Sequence, residues 1–362
     1  MGPGHRRAVT EPRRITALLR PGSLKYRGLV GTGGIGSGSF FMLAGNETLG
    51  REESRGGRFL DRRDYCKLHI ICHYVKALLG DALAVIPIGR VGDDEAGATL
   101  LGDMEDAGLD LRFVRRLAGA PTLHSFCILY PDGSGGNLTT DDSASSRVDR
   151  AAVAEAGDIM RSLGGSGIAL AVPEVPLDAR VALLEQAGRS GLFRAASFTR
   201  AEMPEVRRRD LLAMVDLAAV NAEEALAAAG LEAADAAASA PSAIEAISRR
   251  WPKLLLSVTA GRAGSWSWDG TALRHDPAIP VPVRGTAGAG DAHCAGILGG
   301  LAAGLPLAEA QRLGTLVAAA SVTSEHTINR DITTGQLLSL SATDPRRFSA
   351  VRAALDTALA GS

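Results

Sequence analysis

The residues most suited to chemistry lie in RGTAGAGDAHCAGILGGL, Arg284 to Leu301. Closely spaced glycines let a backbone turn sharply and aim several N–H groups at one point. A helix that starts directly behind them adds its unpaired N-terminal amides to the same place. The product is an anion pocket suited to phosphate. Asp291 sits beside that pocket and would repel a merely stored phosphate. A carboxylate fits there if it takes a proton from a hydroxyl while a phosphoryl group arrives. The competing reading is structural: Asp291 caps the helix.

Other residues offer chemistry at a distance from this loop. Asn221 and Glu224 in NAEEA have polar side chains at a strand end, and also the spacing of a capping box. Thr259, Gly261 and Gly264 in SVTAGRAGS mark either a phosphate-side loop or a plain exit from a strand. In CKLHIICH, helical spacing puts Cys66, His69 and His73 on one narrow face, with Lys67 on another part of the helix. That face reads as a polar, partly cationic surface toward an acceptor. It also reads as a core helix, or as a transition-metal site lacking a visible fourth ligand. Asn46, Asn137 and Thr139 lie in polar segments that suit either substrate contact or turns. Asp93 and Asp94 read as loop braces or caps. GTGGIG, Gly31 to Gly36, matches a dinucleotide fingerprint only if a long helix follows it.

These residues must be carried by elements, and the pattern from about Lys25 is strand, loop, helix, repeated. Apolar runs near Leu29, Val85, Leu170, Ala196, Val220 and Leu256 read as buried strands. Ala/Leu-rich stretches of helical spacing separate most of them, so a mainly parallel sheet covered on both faces is expected. TLHSFCILYPDGSGGNLTT, Thr122 to Thr140, breaks the rhythm and reads as a hairpin. It serves as a lid over a cleft, or as a structural or dimer-forming flap.

The bulk properties narrow the class. The chain has 362 residues, 46% hydrophobic and 22% charged, with a formal net charge of −1. That balance gives no nucleic-acid footprint. No apolar run reaches the roughly 18–20 residues needed to span a bilayer, so no membrane role is expected. Four cysteines in so long a chain argue against a disulfide framework and for the cytoplasm. Residues 1–24 read as a flexible basic extension and 25–362 as one α/β domain.

GTAGAGD resembles the DTxGAGD signature of the ribokinase-like (PfkB-type) carbohydrate kinases. NAEEA matches that family's NxxE element, SVTAGRAGS its TxGxxG segment and IGRVGDDEAG its GxVGxDxxG segment, in order over roughly residues 27–335. The resemblance implies a three-layer α/β sandwich with a central, mostly parallel sheet and a small β lid drawn from within 36–65 and 120–143. It implies ATP with Mg²⁺ and an alcohol of a sugar-like small molecule as acceptor. Asp291 would be the catalytic base and Gly288, Ala289 and Gly290 its anion hole. Asn221, Glu224, Thr259, Gly261, Gly264 and Thr286 would attend the nucleotide, with Asn221 and Glu224 acting through Mg²⁺ and its waters. His69, His73, Asn46, Asn137 and Thr139 are the substrate candidates, no protein-built metal site is expected, and a homodimer through the lid is plausible.

The chain also departs from the family. Gly285 replaces the first Asp of the signature, which helps hold a monovalent cation in members that such an ion activates. The GGxxxN sugar signature is absent, with Ile71 near the expected Asn, and so is the acidic sugar ligand after the first strand. A non-catalytic nucleotide or sugar sensor on the same scaffold, and more remotely a dinucleotide-binding oxidoreductase, are the rival readings.

Overall fold

The computed structural model describes residues 17–19, 23–132 and 135–360. In chain order the strands are β1 (Gly28–Thr32), β2 (Gly36–Leu43), β3 (Gly57–Tyr65), β4 (Ala84–Gly92), β5 (Phe113–Leu117), β6 (Leu123–Leu129) and β7 (Gly135–Thr139). Then come β8 (Gly167–Ala171), β9 (Phe193–Ala196), β10 (Leu217–Asn221), β11 (Leu255–Thr259), β12 (Ser265–Trp268) and β13 (Leu273–Asp276). The helices are α1 (Lys67–Leu79), α2 (Glu95–Asp106), α3 (Arg150–Ala154), α4 (Gly157–Leu163), α5 (Leu177–Ser190) and α6 (Met203–Arg208). They continue with α7 (Ala222–Ala229), α8 (Ala236–Arg250), α9 (Ala289–Ala302), α10 (Leu307–Ser321), α11 (Thr334–Ser341) and α12 (Ser349–Ala360).

The large sheet has the order β13-β12-β11-β10-β9-β8-β1-β4-β5. It is parallel from β11 to β5, with β12 and β13 added antiparallel at one edge. Successive residues of a strand face opposite sides, and the central strands obey this. Leu29, Ile168 and Leu170 enter one core with α1, α9 and α10, whereas Val30, Ala169 and Ala171 enter the other with α5, α7 and α8. Each buried Leu or Ile contributes roughly 1.5–3 kcal/mol, so the two cores fix the three layers. The strand order reverses beside β1: β4 pairs on one side of it and β8 on the other. In open α/β sheets such a switch point, beyond the carboxyl ends of the strands, is where a crevice forms.

The expected lid is a separate sheet, ordered β3-β2-β6-β7. The segment 122–140 does form an antiparallel hairpin, β6 with β7, and β6 runs parallel to β2. GTGGIG leads into strand β2 and not into a helix, so the structure lacks the crossover helix that a dinucleotide fingerprint needs.

Two expectations are corrected. Part of the N-terminal extension is docked: Leu18 and Leu19 are buried, and their amides donate to the Ala77 and Leu78 carbonyls at 3.1 and 2.8 Å. The remainder of that call, residues 1–16 and 20–22, lies outside the described residues. The second correction concerns α1. This helix is buried on nearly every side from Leu68 to Leu79, so it has no polar face toward a cleft. His69 is 0% exposed and its ring meets the edge of Tyr65 at 4.6 Å. Both ring nitrogens of His69, and Nδ1 of His73, lack a hydrogen-bond partner among the described residues.

Burial carries a cost that depends on pH. Desolvation holds His69 well below its ordinary value of 6.5 and holds His73 and His293 down at about 4. Below pH 6.5 the unfolded chain therefore binds protons that these folded histidines refuse, and their contribution to stability falls. We predict that His69→Leu stabilises the protein by about 1–3 kcal/mol. In thermal denaturation from pH 7.5 to 5, its advantage over wild type should widen as pH falls. A constant or shrinking difference would contradict this account of the core.

Candidate active site

The switch-point crevice lies between the large sheet and the cleft face of the lid, with a volume of about 570 Å³. A smaller cavity of about 90 Å³ lies beside it, lined by Asn221, Glu224, Thr259 and Gly290 among others. Lys67 and Asp291 line both. The boundary between the two spaces is therefore an ion pair, with Lys67 Nζ 3.4 Å from Asp291 Oδ1.

Local structure explains how that pair forms. Gly288 adopts a left-handed conformation, φ +78°, immediately before α9. That region is open to glycine at no steric cost. The chain turns there and places Asp291 third in the helix. Among the described residues Asp291 makes no capping bond, and its side chain pairs with Lys67 instead. The Ala289 amide donates to the Thr286 carbonyl at 3.2 Å. The amides of Gly288 and Gly290 take no partner among the described residues. A Cβ placed on Gly290 would meet nothing within 4 Å, so that amide borders open space.

Lys67 is the first residue of α1, and its own amide donates to Glu174 Oε2 at 3.0 Å. Glu174 follows β8 and replaces the missing side-chain cap of this helix. Its φ is +75°, a left-handed position for a non-glycine residue, which costs on the order of 1–3 kcal/mol. The Gly-rich stretch after β1 makes room for it: a Cβ on Gly34 would lie 2.3 Å from Glu174 Oε2.

Electrostatics bind these groups together. Burial pushes Asp291 upward, and Lys67 opposes that rise. Burial lifts Glu174 to about 7 against the pull of Lys67, and also raises Glu224. Lys67 itself is held protonated, first by Asp291 and then by Glu174 and Glu224. One ammonium thus serves three carboxylates.

The remaining sequence candidates divide by position. Asn221 and Glu224 form the anticipated capping box at α7, with reciprocal bonds of 2.8 Å, and both line the smaller cavity. Thr259 joins them at the end of β11. Gly261 and Gly264 form the turn beyond it, at φ +54° and +91°. Thr286, Gly288 and Asn137 line the larger cleft. Thr139 is exposed on β7 and borders neither cavity. Asn46 braces a turn, its Oδ1 accepting from the Asp132 amide at 3.0 Å, and also stays outside both cavities. His69 and His73 line neither. Cys66, at the head of α1, lies 3.9 Å from the Ser125 hydroxyl. Among the described residues no group of three His, Cys, Asp or Glu is placed to hold a metal ion. Asp94 caps α2 by accepting from the Gly97 amide at 2.7 Å.

Sequence reasoning missed Lys67, Glu174 and Asp64 in the cleft. A helical wheel set Lys67 apart from the histidine face, but at the first helical position it points past the helix end toward α9. Glu174, in AVPEV directly after an expected strand, carried a usable signal: an acid at the carboxyl end of a buried strand. Asp64 gave none: β3 falls within the 36–65 range expected for the lid, but its charged sequence marks no strand there.

Comparison with known proteins adds the following. The description pfkB family carbohydrate kinase matches residues 73–334. Uncharacterized sugar kinase YegV of Escherichia coli is 35% identical over 120 residues, covering 32% of this chain and 36% of that protein. Fructoselysine 6-kinase of Shigella flexneri is 43% identical over 65 residues, covering 18% of this chain and 25% of that protein. The matched stretches thus span about a third or less of these curated relatives. The crystal structure of a ribokinase from Cryptococcus neoformans in complex with ADP superposes with a TM-score of 0.67 at 19% identity, over 88% of this chain and 99% of that one. No helix among the described residues is long and apolar enough to cross a membrane.

The shared ammonium can be tested directly. Replacing Lys67 with Gln removes the charge that holds Asp291 and Glu174 down. In ¹³C carboxyl NMR, Lys67→Gln should move the titrations of both groups to higher pH, with the fold retained. Unchanged titrations would show that the ion pair does not govern these carboxylates.

Proposed function

The chain belongs to the pfkB carbohydrate kinase family, and from that premise we propose that it transfers the γ-phosphoryl group of ATP to a hydroxyl of a sugar-like small molecule. The observation that carries this reading is the placement of Asp291 on the boundary of two cavities, paired with Lys67 and next to unpartnered backbone amides. The larger cleft, under the lid, takes the acceptor.

The residues present fit a magnesium-bound nucleotide. Amides of Gly288 and Gly290 are available to phosphate oxygens, as at other helix N-termini. Glu224 spends one oxygen on the capping box and leaves the other without a partner among the described residues. One carboxylate with water and phosphates is the usual protein share of a magnesium site. When bound, the nucleotide supplies the phosphoryl group and the metal offsets its charge.

Asp291 then acts on the acceptor. Its Oδ1 is engaged with Lys67 and its Oδ2 is left to accept a proton from the acceptor hydroxyl. The oxygen so freed bonds to the γ-phosphorus as the bond to the leaving ADP breaks. Lys67 opposes the upward pull of burial on Asp291 and sits beside the charge that develops during the reaction. The Gly288 and Gly290 amides steady the transferred oxygens. The lid excludes water, which otherwise competes as acceptor. A sensor without catalysis would not need a carboxylate paired with an ammonium at this boundary.

The lid supports a second part of the proposal. Its cleft face carries Phe40, Met42, Asp64 and Cys127. Its outer face carries Phe41, Phe59 and Phe126, with ring centroids 5.1–6.1 Å apart, and Phe59 and Leu138 are 66% and 61% exposed. A second copy pairing through this face would cover both patches.

Two measurements follow. Asp291→Asn should lower kcat for ATP-dependent phosphorylation by about 10²–10⁴-fold while nucleotide affinity in calorimetry stays within about threefold; retained turnover would sink the assignment of the base. Light scattering should find a wild-type dimer and a Phe59→Glu monomer, and a wild-type monomer would refute the lid interface.

A further inference from the structure

Asp64 stands at the end of β3, 8% exposed, and lines the acceptor cleft. Its side chain lies flat across the neighbouring strand. Gly38 of β2 is its register partner, and a Cβ on Gly38 would fall 2.0 Å from Asp64 Oδ2. Only glycine at position 38 leaves room for this carboxylate. Beyond Gly38 it reaches β6, where the Cys127 thiol donates to Oδ2 at 3.6 Å. Cys127 is in turn paired with Asn137 of β7, its Sγ 3.7 Å from Asn137 Oδ1. Three lid strands therefore contribute to one polar row facing the cleft, and Gly38 of β2 leaves the gap that joins them.

The partners of Asp64 are few for a buried charge. Oδ1 accepts from the Tyr65 amide at 3.0 Å. The Thr327 hydroxyl also serves this carboxyl, and Oδ2 has the thiol, a weak donor that can serve one acceptor at a time and has Asn137 as an alternative. A carboxylate offers about four lone-pair sites, and leaving them unfilled in a low-dielectric cleft is costly. A donor is needed there. Arg62, Lys67 and Arg284 line the same cleft without pairing to Asp64, and they would repel a cationic ligand group. Neutral hydroxyls meet no such repulsion.

We propose that Asp64 is a specificity-determining residue which accepts hydrogen bonds from adjacent hydroxyls of a polyhydroxylated acceptor, with Gly38 as the clearance that lets it do so. Asn137, at the far end of the row, supplies an amide group to the same ligand. The inference rests on the phosphoryl-transfer reading of this cleft. It assigns recognition to the lid sheet and leaves the chemistry to Asp291.

The test uses D-ribose, fructoselysine and adenosine as probes on the full-length protein, with both calorimetry and ATP-coupled turnover. Asp64→Asn preserves shape and replaces one acceptor oxygen by a donor. It should weaken binding or raise KM for the accepted probe by about 10- to 100-fold. KM for ATP should stay within about twofold. Gly38→Ala, which displaces the carboxylate without altering its charge, should act in the same direction. An unchanged acceptor KM in Asp64→Asn would overturn the proposal, as would an equal rise in KM for ATP, which marks a merely structural residue. Binding of no probe by the wild-type protein would also overturn it. Binding that depends on Asp64 without any turnover would uphold the proposal and defeat the phosphoryl-transfer reading instead.

Discussion

A single half-buried ammonium, paired with Asp291 and within the field of two further carboxylates, is the constraint on which the site depends. Lys67 heads α1, Asp291 lies in the first turn of α9, Glu174 follows β8 and Glu224 begins α7. Each comes from a different element, so the ion cluster exists only when the sheet and both helical layers are assembled. Desolvation drives the carboxylates toward protonation, and Lys67 opposes it. The balance leaves the site with more acid than base, and a carboxyl lifted to about 7 at Glu174 relieves part of that excess. Such a cluster has a low tolerance for a bare anion and a ready place for a charge-neutralised one.

Glycine clearance is the second organising device. The run after β1 resembles a phosphate-binding fingerprint in composition, yet two of its members serve side chains from elsewhere. Gly34 admits the Glu174 carboxylate and Gly38 admits that of Asp64, each at a distance no Cβ would allow. The first strand thus contributes little chemistry of its own. The stretch from Gly34 to Gly38 supplies a bare backbone over which an acid following β8 and one on β3 reach the cleft. The acid expected directly after this strand is absent, and Asp64 and Glu174 line the larger cleft from elsewhere in the chain.

What the sequence reveals follows from the range of the interactions involved. Buried strands near Leu29, Val85, Leu170, Ala196, Val220 and Leu256, the 122–140 hairpin, the Asn221–Glu224 box and the turn before Asp291 are local patterns, and all are present. The lid strand β3 escaped because GRFLDRRDY is charged and mostly exposed, without the apolar run that marks a buried strand. His69 and His73 were misplaced for a complementary reason. Helical spacing assigns a face only when one side of a helix meets solvent, and α1 is enclosed by the sheet, α9 and the docked residues 17–19. Lys67, Glu174 and Asp64 depend on contacts between segments far apart in the chain, which no spacing rule conveys. The loop at Asp291 is a local signal, whereas the clearances at Gly34 and Gly38 are tertiary.

The central claim is that Asp291, held by Lys67, directs a phosphoryl group to an alcohol and not to water. ³¹P NMR of the products formed from ATP, magnesium and a mixture of polyhydroxylated acceptors tests it most directly. The account predicts a phosphate monoester resonance rising in step with ADP for the wild-type protein, and its loss in Asp291→Asn. ADP accompanied only by inorganic phosphate, or a monoester formed equally by the variant, would contradict it.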